Sequence, residues 1–129
     1  MTKKLEVLVV DDEPNNVELA QVMLTQAGYE VTEAADGQQA VEMCLFQRFD
    51  AVVMDVQMPK MNGIEAMRAL RADSRTESLP IVAFSANTDW LEAAFQAGAD
   101  GFLKKPFKRD ELVRAIRAAI LERERISSV

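Results

Sequence analysis

Ala51-Val52-Val53-Met54-Asp55-Val56-Gln57-Met58-Pro59 decides the fold. Val52, Val53 and Met54 show no polar alternation, so the run reads as a strand buried on both faces, with helices on either side of its sheet. It delivers Asp55 at its carboxyl end, and a proline turn follows at once. In open α/β sheets the carboxyl ends of the strands are where ligands bind. A second apolar run, residues 5–10, closes on Asp11 and Asp12. The pattern therefore predicts carboxylates gathered at one rim of a sheet.

Working outward, Pro14 suits the first turn of a helix, where its missing N–H costs nothing. Val17, Ala20, Met23, Leu24 and Ala27 recur at helical spacing until Gly28 stops them. Residues 29–34 read as a second strand, Asp36-Gly37 as a turn, and Ala40, Val41, Cys44 and Leu45 as the inner face of a second helix. After the Asp55 strand, a loop runs to Asn62, and Gly63 opens a third helix with Ile64, Met67 and Leu70 inward. A polar linker, residues 73–78, leads through Pro80 into a fourth strand over 81–84, which ends at Ser85-Ala86-Asn87. The fourth helix is expected over about 88–97, with Leu91, Ala94 and Phe95 on one side and Gly98 at its end. Residues 101–103 form a brief fifth strand before Lys104-Lys105-Pro106-Phe107. The last helix runs from near Arg109 to about Glu124 and buries Leu112, Val113, Ile116 and Ile120. Five strands alternating with five helices imply an α/β chain with a parallel sheet, helices on both faces and right-handed crossovers. Strands one, three, four and five then end at Asp11/Asp12, Asp55, Ser85 and Lys105, the polar groups a phosphoryl-transfer site needs.

Composition narrows the chemistry. The 129 residues suit one domain, and 49% hydrophobic with 28% charged residues fits a globular chain rather than a disordered one. A formal net charge of −6 argues against non-specific binding to nucleic acid or an anionic membrane. With no histidine, the chain holds no His general base, no His metal ligand and no phosphohistidine of its own. Any metal would be bound by oxygen, which favours Mg²⁺ or a related hard ion such as Mn²⁺. The single cysteine, Cys44, allows no internal disulfide; it falls on a helix's apolar face and reads as packing. The first apolar run is too short for a signal peptide, and no stretch approaches the ~18 apolar residues of a membrane span. A cytoplasmic location is the expectation.

Four pieces in order, Val9-Val10-Asp11-Asp12-Glu13, Met54 through Gly63 (Met-Asp-Val-Gln-Met-Pro-Lys-Met-Asn-Gly), Phe84-Ser85-Ala86 and Lys105-Pro106-Phe107, make the chain resemble a two-component response-regulator receiver domain. The resemblance covers about residues 4–121, with 122–129 as a tail or the start of a linker. It implies the flavodoxin-like, doubly wound fold of the CheY-like regulators, with strand order 2-1-3-4-5. It also implies roles. Asp55 would be the phosphoacceptor. Asp11, Asp12, Asp55 and the backbone carbonyl of Gln57 would hold Mg²⁺, with Glu13 outside that set. Lys105, rather than Lys104, would pair with the phosphoryl group, and the Lys105–Pro106 bond is often cis in the family. Ser85 would donate a hydrogen bond to the phosphoryl group, and Phe102 would be the switch aromatic. Met58 and Met61 would pack under the active-site loop.

The implied partners are a sensor histidine kinase or histidine phosphotransfer protein as donor, and a downstream protein or output domain as receiver. A phosphorylation-dependent homodimer is compatible with this, and direct binding to nucleic acid or membrane is not expected. The chain would catalyse only its own phosphorylation and dephosphorylation.

Each residue also has a plainer reading. Asp-Asp-Glu before a helix is commonly a solvated N-terminal cap. A lysine in a loop is ordinarily just solvated, and Phe102 fits a simple core position. Trp90 fits either the core or a partner surface. One departure stands out: the segment from Ser85 to Gly98 reads shorter than the family pattern by roughly half a helical turn.

Three rival functions make different demands on the same residues. A phosphatase of the haloacid-dehalogenase type would want a second Asp where Gln57 stands. A flavodoxin-type cofactor binder would want a hydroxyl- or glycine-rich loop where Asp11 to Asn15 stands. A receiver-like module that binds partners without phosphorylation is the alternative that the short fourth-helix region keeps open.

Overall fold

The buried runs pair into one sheet because each finds apolar neighbours on both sides. The computed structural model describes residues 3–58 and 61–127. Within them, β1 (Glu6–Val10), β2 (Glu30–Ala34), β3 (Ala51–Asp55), β4 (Ile81–Ser85) and β5 (Gly101–Lys104) are parallel, in the order β2-β1-β3-β4-β5. The helices between them are α1 (Pro14–Gln26), α2 (Gly37–Phe46), α3 (Gly63–Ala72), α4 (Leu91–Ala97) and α5 (Arg109–Ser127). This is the doubly wound α/β architecture expected from the sequence. Pro59 and Lys60 of the quoted turn, with Met1, Thr2, Ser128 and Val129, lie outside the described residues.

Period-two alternation divides the core. Val7, Val9, Val53, Val82 and Phe84 face α1 and α5, meeting Ala20, Leu24, Leu112 and Ile116. Leu8, Val10, Val52, Met54, Ile81 and Ala83 face α2, α3 and α4, meeting Cys44, Met67, Leu70, Ala94 and Ala97. Every residue of β3 and β4 is buried, as expected for central strands covered on both faces.

Several local expectations shift. Residues 88–90 form a single 3-10 turn, and only Leu91–Ala97 is α-helical. The tighter winding changes the helical phase, so Ala94 and Ala97 are buried while Leu91 and Phe95 are exposed. Ala27 is exposed at the end of α1, because the chain turns outward at Gly28 (φ +94°) and buries Tyr29 instead. Helix α5 continues to Ser127 rather than ending near Glu124, with Arg125 paired to Glu122 in its last turns. Val41, Leu45, Val113 and Ile120 are only half-buried.

The amino ends of the strands are tied by charge. Asp100 accepts from Arg71 at 3.0 Å, Arg123 at 2.8 Å and the Ile81 N–H at 2.9 Å. Arg71 also donates to the carbonyls of Glu77, Leu79 and Gly98. Burial lowers the Arg71 pKa to about 10, against the opposing pull of Asp100. A cleft of about 650 Å³ opens at this end among Phe46, Asp50, Pro80 and Arg123, away from the predicted carboxylate rim. Among the described residues no helix is long and apolar enough to cross a membrane.

Candidate functional site

The carboxyl rim is assembled by parity. Asp11 follows Val7 and Val9 on their sheet face, and Asp55 follows Ala51 and Val53 on the same face. One ligand oxygen from each of Asp11, Asp12 and Asp55 lies within 4.8 Å of the others. Asp11 and Asp55 are buried, at 2% and 5% exposure, whereas Asp12 is open to solvent. Each buried acid is fixed by a hydrogen bond from the N–H two residues on: Glu13 to Asp11 Oδ1 at 2.9 Å, and Gln57 to Asp55 Oδ1 at 3.2 Å. That local turn is an ordinary habit of aspartate and leaves the second oxygen of each facing the cleft between them.

Lys105 enters the rim from the β5–α5 loop. Its Nζ donates to Asp11 Oδ2 and to Asp55 Oδ2, 3.3 Å in each case. The Lys105 N–H donates to the Ser85 carbonyl at 2.9 Å, which fixes the start of the loop, and the Lys105–Pro106 peptide is cis. Lys104 is exposed, so the lysine beside the proline is the one delivered to the acids.

Electrostatics follow from the burial. The Asp55 pKa rises to about 6, first because burial penalises the ionised form and second because of the neighbouring Asp11 charge. Lys105 and the Gln57 N–H pull it back part of the way. At neutral pH Asp55 is therefore predominantly a carboxylate, though a strained one. Relief would come from added positive charge. An all-oxygen donor set of three carboxylates suits a hard divalent ion such as Mg²⁺, which keeps waters and needs few protein ligands.

The remaining predicted residues fall on the other side of the same rim. Ser85 is 1% exposed, with the parity of Ile81 and Ala83, and its Oγ accepts from the Asn87 N–H at 3.1 Å. Phe102, the register partner of Ala83, is half-buried against the α2–α3–α4 core together with Trp90 and Ala93. Met58 and Met61 also pack partly against that core. Gln57 is exposed beside Asp55.

Two supports had no assigned role in the sequence. Gly63 begins α3 directly against the end of β3: a β-carbon there would collide with the Asp55 carbonyl oxygen and the Val56 Cα. Asn62 and Glu65 close a reciprocal cap on this helix, and the Gly63 N–H donates to Val56 O at 2.9 Å. Phe84 is the other; Lys105 Nζ stands over its ring, 4.8 Å from the centroid. Alternation along β4 gave the sheet face of Phe84 in the sequence, while its register with Asp55 came only with the folded sheet.

Comparison with known proteins agrees with this geometry. The family model described as the response regulator receiver domain matches residues 7–117. The DNA-binding response regulator MtrA of Mycolicibacterium smegmatis is 38% identical over 125 residues, 95% of this chain and 54% of MtrA. The response regulator MprA of Mycolicibacterium vanbaalenii is 40% identical over 118 residues, 90% of this chain and 50% of MprA. The chain thus spans about half the length of the curated relatives it matches. Among solved structures, the receiver domain of the sensor histidine kinase PA1611 from Pseudomonas aeruginosa is 41% identical with a TM-score of 0.86, covering 92% of this chain and 98% of that one. That structure has a magnesium ion coordinated in its active-site cleft. The chemotaxis response regulator CheY4 of Vibrio cholerae is 33% identical with a TM-score of 0.83, covering 91% and 99%. With its matched family model, its CheY-like relatives and its acid–lysine rim in accord, this chain belongs to the response regulator receiver domain family of two-component systems.

Proposed function

We propose that the chain is the phosphoryl-accepting switch of a phosphorelay, with Asp55 as acceptor. The observation that carries this is the convergence of Asp11, Asp12 and Asp55 within 4.8 Å, with Lys105 Nζ 3.3 Å from the two buried acids. A histidine kinase or histidine phosphotransfer protein supplies the phosphohistidine, since the chain has no histidine.

An Asp55 carboxylate oxygen forms the new O–P bond while the P–N bond to the donor imidazole breaks, its electron pair staying on the imidazole. Asp11, Asp12, Asp55 and the Gln57 carbonyl would hold Mg²⁺, or Mn²⁺ with the same oxygen donors. When bound, the ion screens the repulsion between the acceptor carboxylate and the phosphoryl oxygens. Lys105 exchanges its carboxylate partners for a phosphoryl oxygen, acting as a point charge. Positioning and charge stabilisation carry most of such a reaction. Ser85 Oγ accepts from Asn87, so its own proton is not spent in that bond and can be donated to the phosphoryl group. That donation draws in the 85–90 segment, and Phe102 and Trp90 on the same core re-pack, biasing a two-state surface of α4, β5 and α5. Water then hydrolyses the acyl phosphate, and exposed Gln57 is placed to tune that rate. No chemistry on any other substrate belongs to this reading.

Residues from about 4 through the end of α5 act as one receiver unit, since Arg123 beyond residue 121 is tied to Asp100. Its receiver is a downstream protein or an output domain, and its place of action the cytoplasm. A phosphorylation-dependent homodimer fits the same switch. The net charge of −6 makes this unit itself a poor ligand for nucleic acid or anionic membrane.

Intact-mass measurement after incubation with acetyl phosphate and Mg²⁺ tests the proposal, beside Asp55→Asn and an EDTA control. One phosphate adduct requiring both Asp55 and the metal is the expected result. A folded chain that takes no phosphate would instead make this a phosphorylation-independent interaction module.

A further inference from the structure

Lys105 is held from three sides, and only two of them are acidic. The third is the face of Phe84, 4.8 Å from Nζ to the ring centroid. The ring is 2% exposed and is braced by Phe107, with centroids 5.8 Å apart and planes at 75°. Phe84 reaches this place through strand register, since it is the β4 partner of Asp55 on β3. The acceptor and the floor beneath the lysine are thus neighbours on one sheet face.

We propose that Phe84 is a positioning residue for Lys105, holding the ammonium at the rim through its π face. The inference rests on the reading of Asp55 as phosphoacceptor. A lysine has a flexible four-carbon stem and no geometric preference among anionic partners. In the resting site its ammonium is steered by Asp11 and Asp55. During transfer the Asp55 charge is consumed in the new bond, so the lysine must leave that carboxylate for a phosphoryl oxygen while staying at the rim. A ring face attracts a cation without accepting directional N–H bonds. Its hold does not depend on the charge of Asp55, and it leaves the ammonium donors available for a phosphoryl oxygen. An aliphatic side chain would fill the same volume and supply none of this.

Ring fluorination separates the two roles, because successive fluorines drain the π face while leaving shape nearly unchanged. Phe84 would be replaced in the full chain by mono-, di- and trifluorophenylalanine, and initial rates of phosphorylation by acetyl phosphate measured at saturating Mg²⁺. The logarithm of the rate constant should fall stepwise with fluorine number, by about 3–30-fold in total, with an unchanged urea midpoint. Phe84→Leu should show a comparable loss. The Lys105 ε-methylene protons report the contact independently of rate: a ring-current upfield shift is expected in the unmodified chain and should vanish in Phe84→Leu. Flat rates across the fluorine series, or an unshifted ε-methylene, would overturn the role of Phe84 in a chain that is phosphorylated normally. An unmodified chain that takes no phosphate would overturn the acceptor reading beneath it.

Discussion

Asp55 is buried beside a second acid, and its pKa of about 6 records what that costs the fold. The sign is that of a carboxyl whose folded pKa is raised. The proton is bound more tightly in the native state, so the associated stability is complete below the unfolded value near 4 and is lost as pH rises through about 6. Without divalent ions, Asp55→Asn should therefore be more stable than the parent at pH 7.5, by about 1–3 kcal/mol, with the gap closing towards pH 4. Paired urea unfolding curves at the two pH values measure it; a gap that does not change with pH would count against the strained carboxylate. Positive charge should relieve the same strain. At ten times its dissociation constant Mg²⁺ should stabilise the parent by about 1.4 kcal/mol, and the effect should be largely lost in Asp11→Asn. A magnesium titration of the thermal midpoint reads this directly.

At the scale of elements, the site depends on how closely α3 abuts β3. Gly63 leaves no room for a β-carbon against the Asp55 carbonyl, so Gly63→Ala must push the helix from the strand that carries Asp55. We expect a loss of about 2 kcal/mol or more in urea unfolding, together with slower uptake of phosphate. At the other end of the sheet, Arg71 ties α3 to the α4–β5 loop through Asp100 and the Gly98 carbonyl. Arg71→Ala would leave Asp100 with the Arg123 guanidinium and the Ile81 N–H, and would remove the Arg71 donors from the part-buried Leu79 and Gly98 carbonyls. A destabilisation of about 3 kcal/mol is expected, and Arg71→Lys should not restore it, because an ammonium cannot serve these partners at once. Equal stability of the lysine variant would show the guanidinium fork to be dispensable.

For the whole molecule, the two sheet faces divide the labour. The α1–α5 face carries Asp11, Asp55, Phe84 and Lys105, while Ser85, Phe102 and Trp90 lie on the face of α2, α3 and α4. On the proposed function, chemistry on one face would pass through β4 to the other, by adjacent residues of opposite parity. Trp90 is partly buried just beyond Ser85 and is the only tryptophan. Its fluorescence should change on phosphorylation of Asp55 and should do so far less in Ser85→Ala. An identical response in that variant would break the proposed link between the Ser85 hydroxyl and the α4 region.

The strand ends, the α/β alternation, the three acids and the choice of Lys105 were legible in the chain. The first three rest on local information, apolar runs long enough for a buried strand and polar residues at their ends, while the choice of Lys105 over Lys104 rests on the family resemblance carried by Lys105-Pro106-Phe107. The phase of α4 was legible only in part: Ala94 is in the core as expected, but the helix that follows the 3-10 turn at residues 88–90 buries Ala97 in place of Leu91 and Phe95. Not legible was the Arg71–Asp100–Arg123 cluster, whose members lie far apart in sequence and meet only once α3, β5 and α5 pack. The Phe84 floor lay between these cases, since parity gave its face but only strand register put it under the lysine. Local sequence thus determined which residues reach the rim. Tertiary packing alone decided the distances between them, and with those the raised pKa of Asp55, because burial and charge proximity are properties of elements brought together.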